Sequence, residues 1–268
     1  MALPLAGPRS TCLVTGASAG IGVELARGLA ARGRAVTLVA RREERLRALA
    51  SELTAAHGVR VEAIACDVGD AADRERLATE LRERELDVDV LLNNAGFGSA
   101  GRFQSLDAAR ETEMVAVNVA AVVALCGAHL PAMVARGRGA ILNVASTAAF
   151  QPVPYQATYG ATKAFVLSFT EALAGDLHGT GVTATALCPG PVRTEFFDAS
   201  GFAAAAERTP RFMWTSVEAA AEAGLSGLDR GARSVVPGAV HRAGALSGRL
   251  APRRLLIGLL RRAHPAGR

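Results

Sequence analysis

Short runs of apolar residues recur along the chain, and patterns with apolar residues at intervals of three and four separate most of them. The runs are typical of buried strands and the intervening patterns of amphipathic helices. Strands that alternate with helices favour a parallel sheet with helices on both faces. We therefore predict one doubly wound α/β domain of about seven strands, at 11–15, 35–39, 59–65, 88–92, 140–144, 182–187 and 234–236.

Two of the predicted helices are long, at about 107–134 and 156–178, and another begins near Val217. Between the sixth strand and that helix, the segment 195–215 shows no helical or strand pattern. We expect it to be irregular, although it is rich in aromatic residues, which include Phe196, Phe197, Phe202, Phe212 and Trp214.

The composition fits one large domain in a reducing compartment. The chain has 268 residues, of which 50% are hydrophobic and 21% charged, enough for a sizeable core. Its cysteines, at 12, 66, 126 and 188, are too far apart for a metal cluster or a disulfide framework, so we predict no metal site. The N-terminus does not resemble a signal peptide, and no eighteen consecutive residues are apolar. We expect a cytoplasmic protein.

The positive charge is concentrated in a C-terminal segment. Residues 241–268 carry seven arginines and no acid, so within a net charge of +5 the rest of the chain sums to −2. A basic patch on the body is therefore not indicated, and we predict no nucleic-acid partner. We divide the chain into a catalytic domain at 1–240 and a basic amphipathic extension at 241–268. The extension has four interpretations: peripheral membrane contact, a cap on the substrate pocket, subunit packing, or a helix covering a sheet edge.

A glycine-rich turn follows the first predicted strand and precedes a helix. Gly16, Gly20 and Gly22, with Ser18 and Ile21 between them, give the strand, loop and helix order of a phosphate cradle. There, backbone N–H groups and the helix N-terminus attract a pyrophosphate. The alternative is a tight turn that only packs the helix against its strand.

Two arginines follow the second predicted strand, at the place where a dinucleotide's ribose is recognised. An acidic residue there would bind the 2′-hydroxyl of NAD, and a basic one the 2′-phosphate of NADP. Arg41 and Arg42 therefore favour NADP(H) over NAD(H), because a guanidinium can hold a phosphate through two hydrogen bonds. An exposed, solvated arginine is the alternative.

Polar or glycine residues also follow the other predicted strands. Asp67, after the third strand, is a candidate partner of an adenine amino group, or else a turn carboxylate. Asn93 and Asn94 end the fourth strand and must be satisfied by backbone or ligand. Ligands of parallel sheets bind beyond the carboxyl ends of the strands. Six signals point to that one edge: Gly16, Arg41, Asp67, Asn94, Ser146 and Pro189.

Tyr159 and Lys163 lie four residues apart, which places them on one face of a helix. An ammonium beside a phenol favours the phenolate, so we predict that the pKa of Tyr159 falls from about 10 towards neutrality. The phenol would then be a usable general acid or base. Asn118 lies on the apolar 107–134 helix, where a lone asparagine is usually a residue that forms hydrogen bonds within the core.

Assembled, these residues resemble the short-chain dehydrogenase/reductase family over roughly residues 10–238. The family's Thr-Gly-x-x-x-Gly-x-Gly loop corresponds to Thr15–Gly22, and its Asn-Asn-Ala-Gly motif to 93–96. Its catalytic Asn-Ser-Tyr-Lys set falls on Asn118, Ser146, Tyr159 and Lys163, and its Pro-Gly motif on 189–190. The arginine-rich tail after about residue 240 departs from the family pattern. The resemblance implies a Rossmann-type fold and NAD(P)-dependent carbonyl reduction or alcohol oxidation.

It also implies roles for these residues. Tyr159 would exchange the proton, Ser146 would orient the substrate oxygen, Lys163 would contact the ribose and lower the pKa of Tyr159, and Asn118 would hold a relay water. Thr194 would contact the nicotinamide carboxamide. A catalytically silent NADP(H) sensor is the alternative. The implied cofactor-binding residues are Gly16, Ser18, Gly20, Ile21, Gly22, Arg41, Arg42, Asp67, Val68, Asn94, Ala95, Gly96, Tyr159, Lys163, Pro189, Gly190, Val192 and Thr194.

We expect the segment 195–215 to border the pocket, together with Phe97, Phe150, Val153 and Tyr155. Because these residues are mainly apolar, the substrate is expected to be a hydrophobic ketone or aldehyde. Homodimers or homotetramers, often formed through the two long helices, are common in the family. The predicted substrate-binding residues are Phe97, Ser146, Phe150, Val153, Tyr155, Phe196 and Trp214.

Overall fold

The structure is a computed structural model that describes residues 3–4, 7–200 and 209–263. These residues form a seven-stranded parallel sheet with the strand order β3-β2-β1-β4-β5-β6-β7. The predicted doubly wound α/β fold is therefore confirmed, and each strand lies within two residues of its predicted bounds. The strands are β1 Ser10–Thr15, β2 Val36–Ala40, β3 Val61–Ala65, β4 Asp87–Asn93, β5 Gly139–Val144, β6 Val182–Leu187 and β7 Ser234–Val235.

Helices connect the strands and cover both faces of the sheet. The helices are α1 Ile21–Ala31, α2 Glu43–His57, α3 Ala71–Glu83, α4 Ala108–Val115, α5 Ala121–Ala135, α6 Ala157–Asp176, α7 Glu195–Ala199, α8 Val217–Asp229, α9 Ala239–Leu250 and α10 Arg253–Ala263. Buried leucines of α1, α2 and α8 pack on one face, and residues of α3, α5 and α6 pack on the other.

The predicted helix at 107–134 is continuous but contains a wider turn. A π-helical turn at Ala116–Ala120 joins α4 to α5 and carries Asn118. By length and composition alone this 108–135 helix could cross a membrane, since an 18-residue window within it has a mean hydropathy of 1.8, although the core helix of a soluble protein passes the same test. Here it packs against β4, β5 and α6.

The segment 195–215 is more ordered than the sequence predicted. It begins with the short helix α7, which Thr194 caps by accepting a hydrogen bond from the Phe196 N–H. A 3-10 turn at Arg211–Met213 follows, and Val192 pairs with Thr215 in an isolated bridge. Phe202 lies outside the described residues.

The C-terminal segment consists of two helices with different surroundings. Helix α9 crosses the predicted boundary at residue 240 and packs against a 3-10 turn at Thr147–Phe150. The buried His241 and the pairing of Arg249 with Glu171 anchor α9 to the body. In α10, by contrast, no described side chain is buried. The first half of the extension therefore belongs to the folded domain.

The strand order reverses between β1 and β4, so the helices that follow these two strands leave on opposite faces. The resulting crevice at the carboxyl edge is where such sheets bind ligands.

Candidate active site

A cavity of about 580 Å³ lies at this carboxyl edge, within the usual size of small-molecule sites. It brings together all six of the strand-end positions that the sequence singled out. Gln156 also lines it and was not predicted, since no motif marks it. Glu195, Phe197 and Thr209 line it as well, and they belong to the segment 195–215. The predicted residues that line it are Gly16, Ser18, Gly20, Ile21, Arg41, Arg42, Asp67, Val68, Asn94, Ala95, Gly96, Phe97, Ser146, Tyr159, Lys163, Pro189, Gly190, Val192, Thr194 and Phe196.

The glycine loop is packed so tightly that it excludes side chains. Gly16 has a positive φ of 66°, and a Cβ there would lie 2.8 Å from the Ala95 Cα. A Cβ at Gly22 would lie 2.4 Å from the Gly16 carbonyl oxygen. The loop therefore exposes backbone at the N-terminus of α1, as a pyrophosphate cradle requires.

Asn94 holds this loop to β4. Its Nδ2 donates to the Thr15 carbonyl oxygen at 2.9 Å, and its backbone N–H donates to the Thr15 hydroxyl at 3.0 Å. Asn93 instead points into the core, where its Nδ2 donates to Asn143 Oδ1 at 2.8 Å. Both side-chain amides therefore donate hydrogen bonds to acceptors of the protein itself: Asn94 beside the cavity, and Asn93 in the core.

The two arginines after β2 have different partners. Arg41 is largely exposed, with its Nη1 3.7 Å from Asp67 Oδ2 and 3.5 Å from Glu113 Oε1. Asp67 also accepts a hydrogen bond from the Gly69 N–H, so it is a turn carboxylate as well as a cavity residue. Arg42 donates to the Ser18 hydroxyl and to Glu195.

Ser146 and Tyr159 meet at the centre of the cavity. Ser146 follows β5, and its Oγ accepts a hydrogen bond from the Ala148 N–H, which fixes the turn at Thr147–Phe150. The buried Tyr159 hydroxyl hydrogen-bonds to Ser146, and the Tyr159 ring packs 5.6 Å from the Phe196 ring. The phenol and the serine can therefore contact the same substrate oxygen.

Lys163 is one turn further along α6 and is only 5% exposed. Its Nζ donates to the Val144 carbonyl oxygen at 2.8 Å and lies 5.9 Å from the Tyr159 ring centroid. Asn118 lies behind it and does not line the cavity. The Asn118 side chain donates to the Phe97 carbonyl oxygen and to the Thr162 hydroxyl, and accepts from the Phe97 N–H. It thus ties the π-helical turn to α6.

The predicted lowering of the Tyr159 pKa is wrong in this structure. Burial raises the pKa of Tyr159 to about 12, and the hydrogen bond with Ser146 only partly opposes this. Burial also lowers the pKa of Lys163 to about 8, because the ammonium is out of water. Burial of the two groups, which their spacing in the sequence does not reveal, accounts for the difference from the predicted direction. At neutral pH the phenol is protonated and ready to donate.

A loop at 189–194 closes the cavity beyond β6. A Cβ at Gly20 would lie 2.9 Å from Thr194 Cγ2, so this loop touches the glycine loop. His241 packs flat on Gly190, where an added Cβ would lie 2.3 Å from its Cε1. The His241 Nε2 also hydrogen-bonds with the Met213 carbonyl oxygen at 3.0 Å. Helix α9 therefore supports the loop from behind.

The family model described as short chain dehydrogenase matches residues 10–202, well over half of the chain. The chain belongs to the short-chain dehydrogenase family. This confirms the resemblance drawn from the motifs, and the protein is an oxidoreductase that acts on CH–OH groups.

Relatives of this short-chain dehydrogenase include a "Putative ketoacyl reductase" of Streptomyces coelicolor, 42% identical over 68% of this chain and 70% of its own length. Among solved structures, a short-chain dehydrogenase from Sphingobium yanoikuyae in complex with NADPH has a TM-score of 0.80 and 35% identity, covering 96% of this chain and 98% of its own. The bulky-bulky ketone specific alcohol dehydrogenase from Comamonas testosteroni has a TM-score of 0.76 and 31% identity, covering 96% of each chain.

The remaining predicted substrate residues of this short-chain dehydrogenase lie around the cavity rather than in its lining. Phe150 packs under the Arg249 guanidinium at 4.9 Å, and Val153 lies next to Gly160. Tyr155 has a φ of 66° and accepts the Gly101 N–H through its carbonyl oxygen. Trp214 is sandwiched between Arg193 at 4.5 Å and Phe197 at 5.0 Å. Of the predicted aromatic residues, Phe97 and Phe196 line the cavity.

The cysteines of the enzyme are all buried, and burial raises the pKa of each thiol to about 12. At neutral pH they are therefore protonated and weak nucleophiles. Within the described ranges, the structure contains no group of three or more His, Cys, Asp or Glu side chains that could hold a metal ion.

Proposed function

We propose that this protein is an NADP(H)-dependent reductase of hydrophobic ketones or aldehydes that uses Ser146, Tyr159, Lys163 and Asn118. The observation that carries the proposal is the meeting of the Ser146 and Tyr159 hydroxyls in a cavity that is also lined by the glycine loop and two arginines. The cavity volume and its exposed backbone fit a dinucleotide.

When bound, NADP(H) supplies or accepts the hydride. Tyr159 holds the proton that reaches the carbonyl oxygen during reduction, and its raised pKa keeps that proton in place at neutral pH. Ser146 orients the same oxygen. Lys163 contacts the cofactor ribose and, with Asn118 behind it, connects the phenol to a proton path.

The cofactor preference is supported by Arg41 and Arg42 in the cavity lining and by the NADPH in the Sphingobium relative. A guanidinium binds a phosphate in two-pronged fashion, whereas it offers nothing specific to a ribose hydroxyl. We expect NADPH to bind more tightly than NADH.

The substrate class is supported by the apolar part of the cavity. Phe97, Val192, Phe196 and Phe197 line it beyond Tyr159. The named activities of the relatives, on ketoacyl groups and on bulky ketones, are consistent with a hydrophobic carbonyl.

The test is the consumption of NADPH and NADH with a panel of ketones and aldehydes, beside Tyr159→Phe and a direct measurement of cofactor binding. We expect NADPH-dependent turnover that the variant loses while it still binds NADPH. Turnover retained by the variant would refute the assigned proton donor. Tight NADPH binding without turnover on any carbonyl would favour the sensor alternative.

We further propose a cytoplasmic homo-oligomer assembled through the long helices. Val115, Val123 and Val134 are each about two-fifths exposed on the 108–135 helix, as is Phe165 on α6. Such apolar side chains on adjacent helices fit a second copy. Sedimentation of Val123→Glu against the native protein tests this: an unchanged mass would contradict it.

A second function, peripheral membrane contact, is favoured by helix α10. Its Ile257 and Leu259 are exposed, and Arg253, Arg254, Arg261 and Arg262 flank the aliphatic residues without any acid. Basic amphipathic helices of this kind bind anionic bilayers. We expect the full chain to sediment with vesicles containing phosphatidylserine, and a chain ending at Ala251 not to. Equal behaviour of the two chains would exclude the membrane.

A further inference from the structure

The Glu195 carboxylate bridges two arginines, Arg42 and Arg45, of which Arg42 lines the cavity. Arg42 Nη1 donates to Glu195 Oε2 at 2.7 Å, and Arg45 Nη1 donates to Oε1 at 2.7 Å. Each carboxylate oxygen thus has its own guanidinium. These hydrogen bonds hold the pKa of Glu195 below its usual range, so the carboxylate is ionised at neutral pH.

This contact crosses from one side of the cleft to the other. Glu195 is the first residue of α7, on the loop that closes the cavity, whereas Arg42 and Arg45 lie at the N-terminus of α2. Glu195 and Arg42 both line the cavity. Glu195 therefore binds its arginines within the site rather than on a remote surface.

All three guanidinium nitrogens of Arg42 already have acceptors. Its Nε and Nη2 donate to Ser18 and its Nη1 to Glu195, at 2.7–3.3 Å. An anion that binds two of these nitrogens side by side therefore competes with one of the acceptors. A carboxylate and a phosphate use the same fork of N–H donors, so Glu195 is the acceptor that an entering phosphate would replace.

We propose that Glu195 determines selectivity for the 2′-phosphate, because its carboxylate and that phosphate compete for Arg42 and Arg45. The proposal rests on the proposed NADP(H) function. Glu195 stabilises the arginine pair when the cofactor is absent and opposes phosphate binding. NADH has no 2′-phosphate and binds without displacing Glu195. Glu195 therefore makes the preference for NADPH over NADH smaller than the two arginines alone would give.

The experiment is calorimetric or fluorescence titration of the full-length protein and Glu195→Gln with NADPH and NADH. Each exposed carboxylate–guanidinium pair contributes at most a few-fold to an equilibrium constant, so removing two such pairs should raise the affinity for NADPH about 3- to 10-fold. The affinity for NADH should change less than about two-fold by the same reasoning. Glu222→Gln is the matched control, since Glu222 is an exposed carboxylate paired with Arg32 outside the cavity lining. It should change neither affinity.

A second variant tests the arginines directly. In an Arg45→Gln background, Glu195→Gln should tighten NADPH binding by a smaller factor, because one of the two competing contacts is already lost. Unchanged NADPH affinity in Glu195→Gln, or an equal change for NADPH and NADH, would overturn the competition while leaving the proposed function standing. Equal weakening of NADPH and NADH binding in Glu195→Gln would overturn it too, because Glu195 would then stabilise the closed position of the loop at 189–194. A native protein that binds neither cofactor would overturn both proposals.

Discussion

Lys163 is the only lysine in the sequence, and it is buried. Its burial should make the free energy of unfolding depend on pH. Burial lowers its pKa from 10.5 to about 8. Between those values the folded state binds fewer protons than the unfolded state, so the free energy of unfolding rises with pH across that window. Below pH 8 the ammonium is charged in both states, and the whole free-energy cost of burying it lowers the stability of the fold.

The magnitude follows from the difference between the two pKa values. A shift from 10.5 to about 8 corresponds to a cost of about 3 kcal/mol at pH 7, which falls to about 1 kcal/mol at pH 9.5. Lys163→Met removes this cost but leaves the Val144 carbonyl oxygen without its donor, a loss of about 1 kcal/mol. We expect the variant to be inactive, yet about 2 kcal/mol more stable at pH 7, with Tm raised by about 4–8 °C.

The assay is thermal and urea unfolding of the native protein and Lys163→Met at pH 7 and pH 9.5. The gain should nearly vanish at the higher pH. Tyr159→Phe is the control, because Tyr159 has a pKa of about 12 and keeps its proton at both pH values. The stability difference for that variant should change by only about 0.2 kcal/mol over this range, because the unfolded phenol, with its pKa of about 10, is only partly ionised at pH 9.5.

The pKa itself can be measured directly. Selective isotopic labelling of lysine gives one side-chain Nζ resonance, because the sequence contains one lysine. We expect its titration midpoint near pH 8. A midpoint at pH 10 or above, together with no stabilisation in Lys163→Met, would refute the argument that burial dominates at this site.

Three further outcomes are expected. As the proposed acid–base residue, Tyr159 must lose its proton to accept one from an alcohol, and burial raises its pKa to about 12; alcohol oxidation should therefore accelerate from pH 7 to pH 10, and a plateau below pH 8 would contradict this. Gly190→Ala should lower turnover, because the added Cβ would lie 2.3 Å from His241; combining it with His241→Ala should restore part of the rate, and no restoration would exclude this clash. Asp89→Ala should lower the free energy of unfolding by about 2 kcal/mol without changing KM, since the buried carboxylate pairs with Arg136; urea unfolding with an unchanged midpoint would contradict it.

The strands and the cofactor loop could be predicted because local sequence dictates them. Apolar runs specified the strands, and Gly16 and Gly22 stand where the packing admits no Cβ. Parallel topology then places every strand end at one edge. Tyr159 and Lys163 share a helix, so their spacing alone put them together.

Other features depend on contacts between distant parts of the chain and left no local pattern. Glu195 meets Arg42 across 153 positions in sequence, and nothing around it distinguishes it from a solvated carboxylate. No local pattern marks His241 either, because its contact with Gly190 forms only when α9 packs on the rest of the domain. The Tyr159 pKa was mispredicted for a related reason, since burial is a property of the whole fold.

The position of Tyr159, the proposed proton donor, depends on buried polar contacts as much as on apolar packing. On the inner face of α6, Thr162 accepts from Asn118, Lys163 donates to the Val144 carbonyl oxygen, and Thr170 accepts from Asn143 at 2.9 Å. Asn143 in turn accepts from Asn93, so β4, β5 and α6 share one hydrogen-bonded chain.

The hydrophobic effect is non-directional, so burial of apolar surface alone specifies the register of a helix on a sheet less strictly than hydrogen bonds do. Hydrogen bonds at three points along α6 fix its register, since a shift of one residue would leave buried donors unpaired. Tyr159 lies one turn before Lys163 and so inherits this register. We infer that the accuracy with which its hydroxyl meets Ser146 is set at Thr162, Lys163 and Thr170, below the cavity rather than within it.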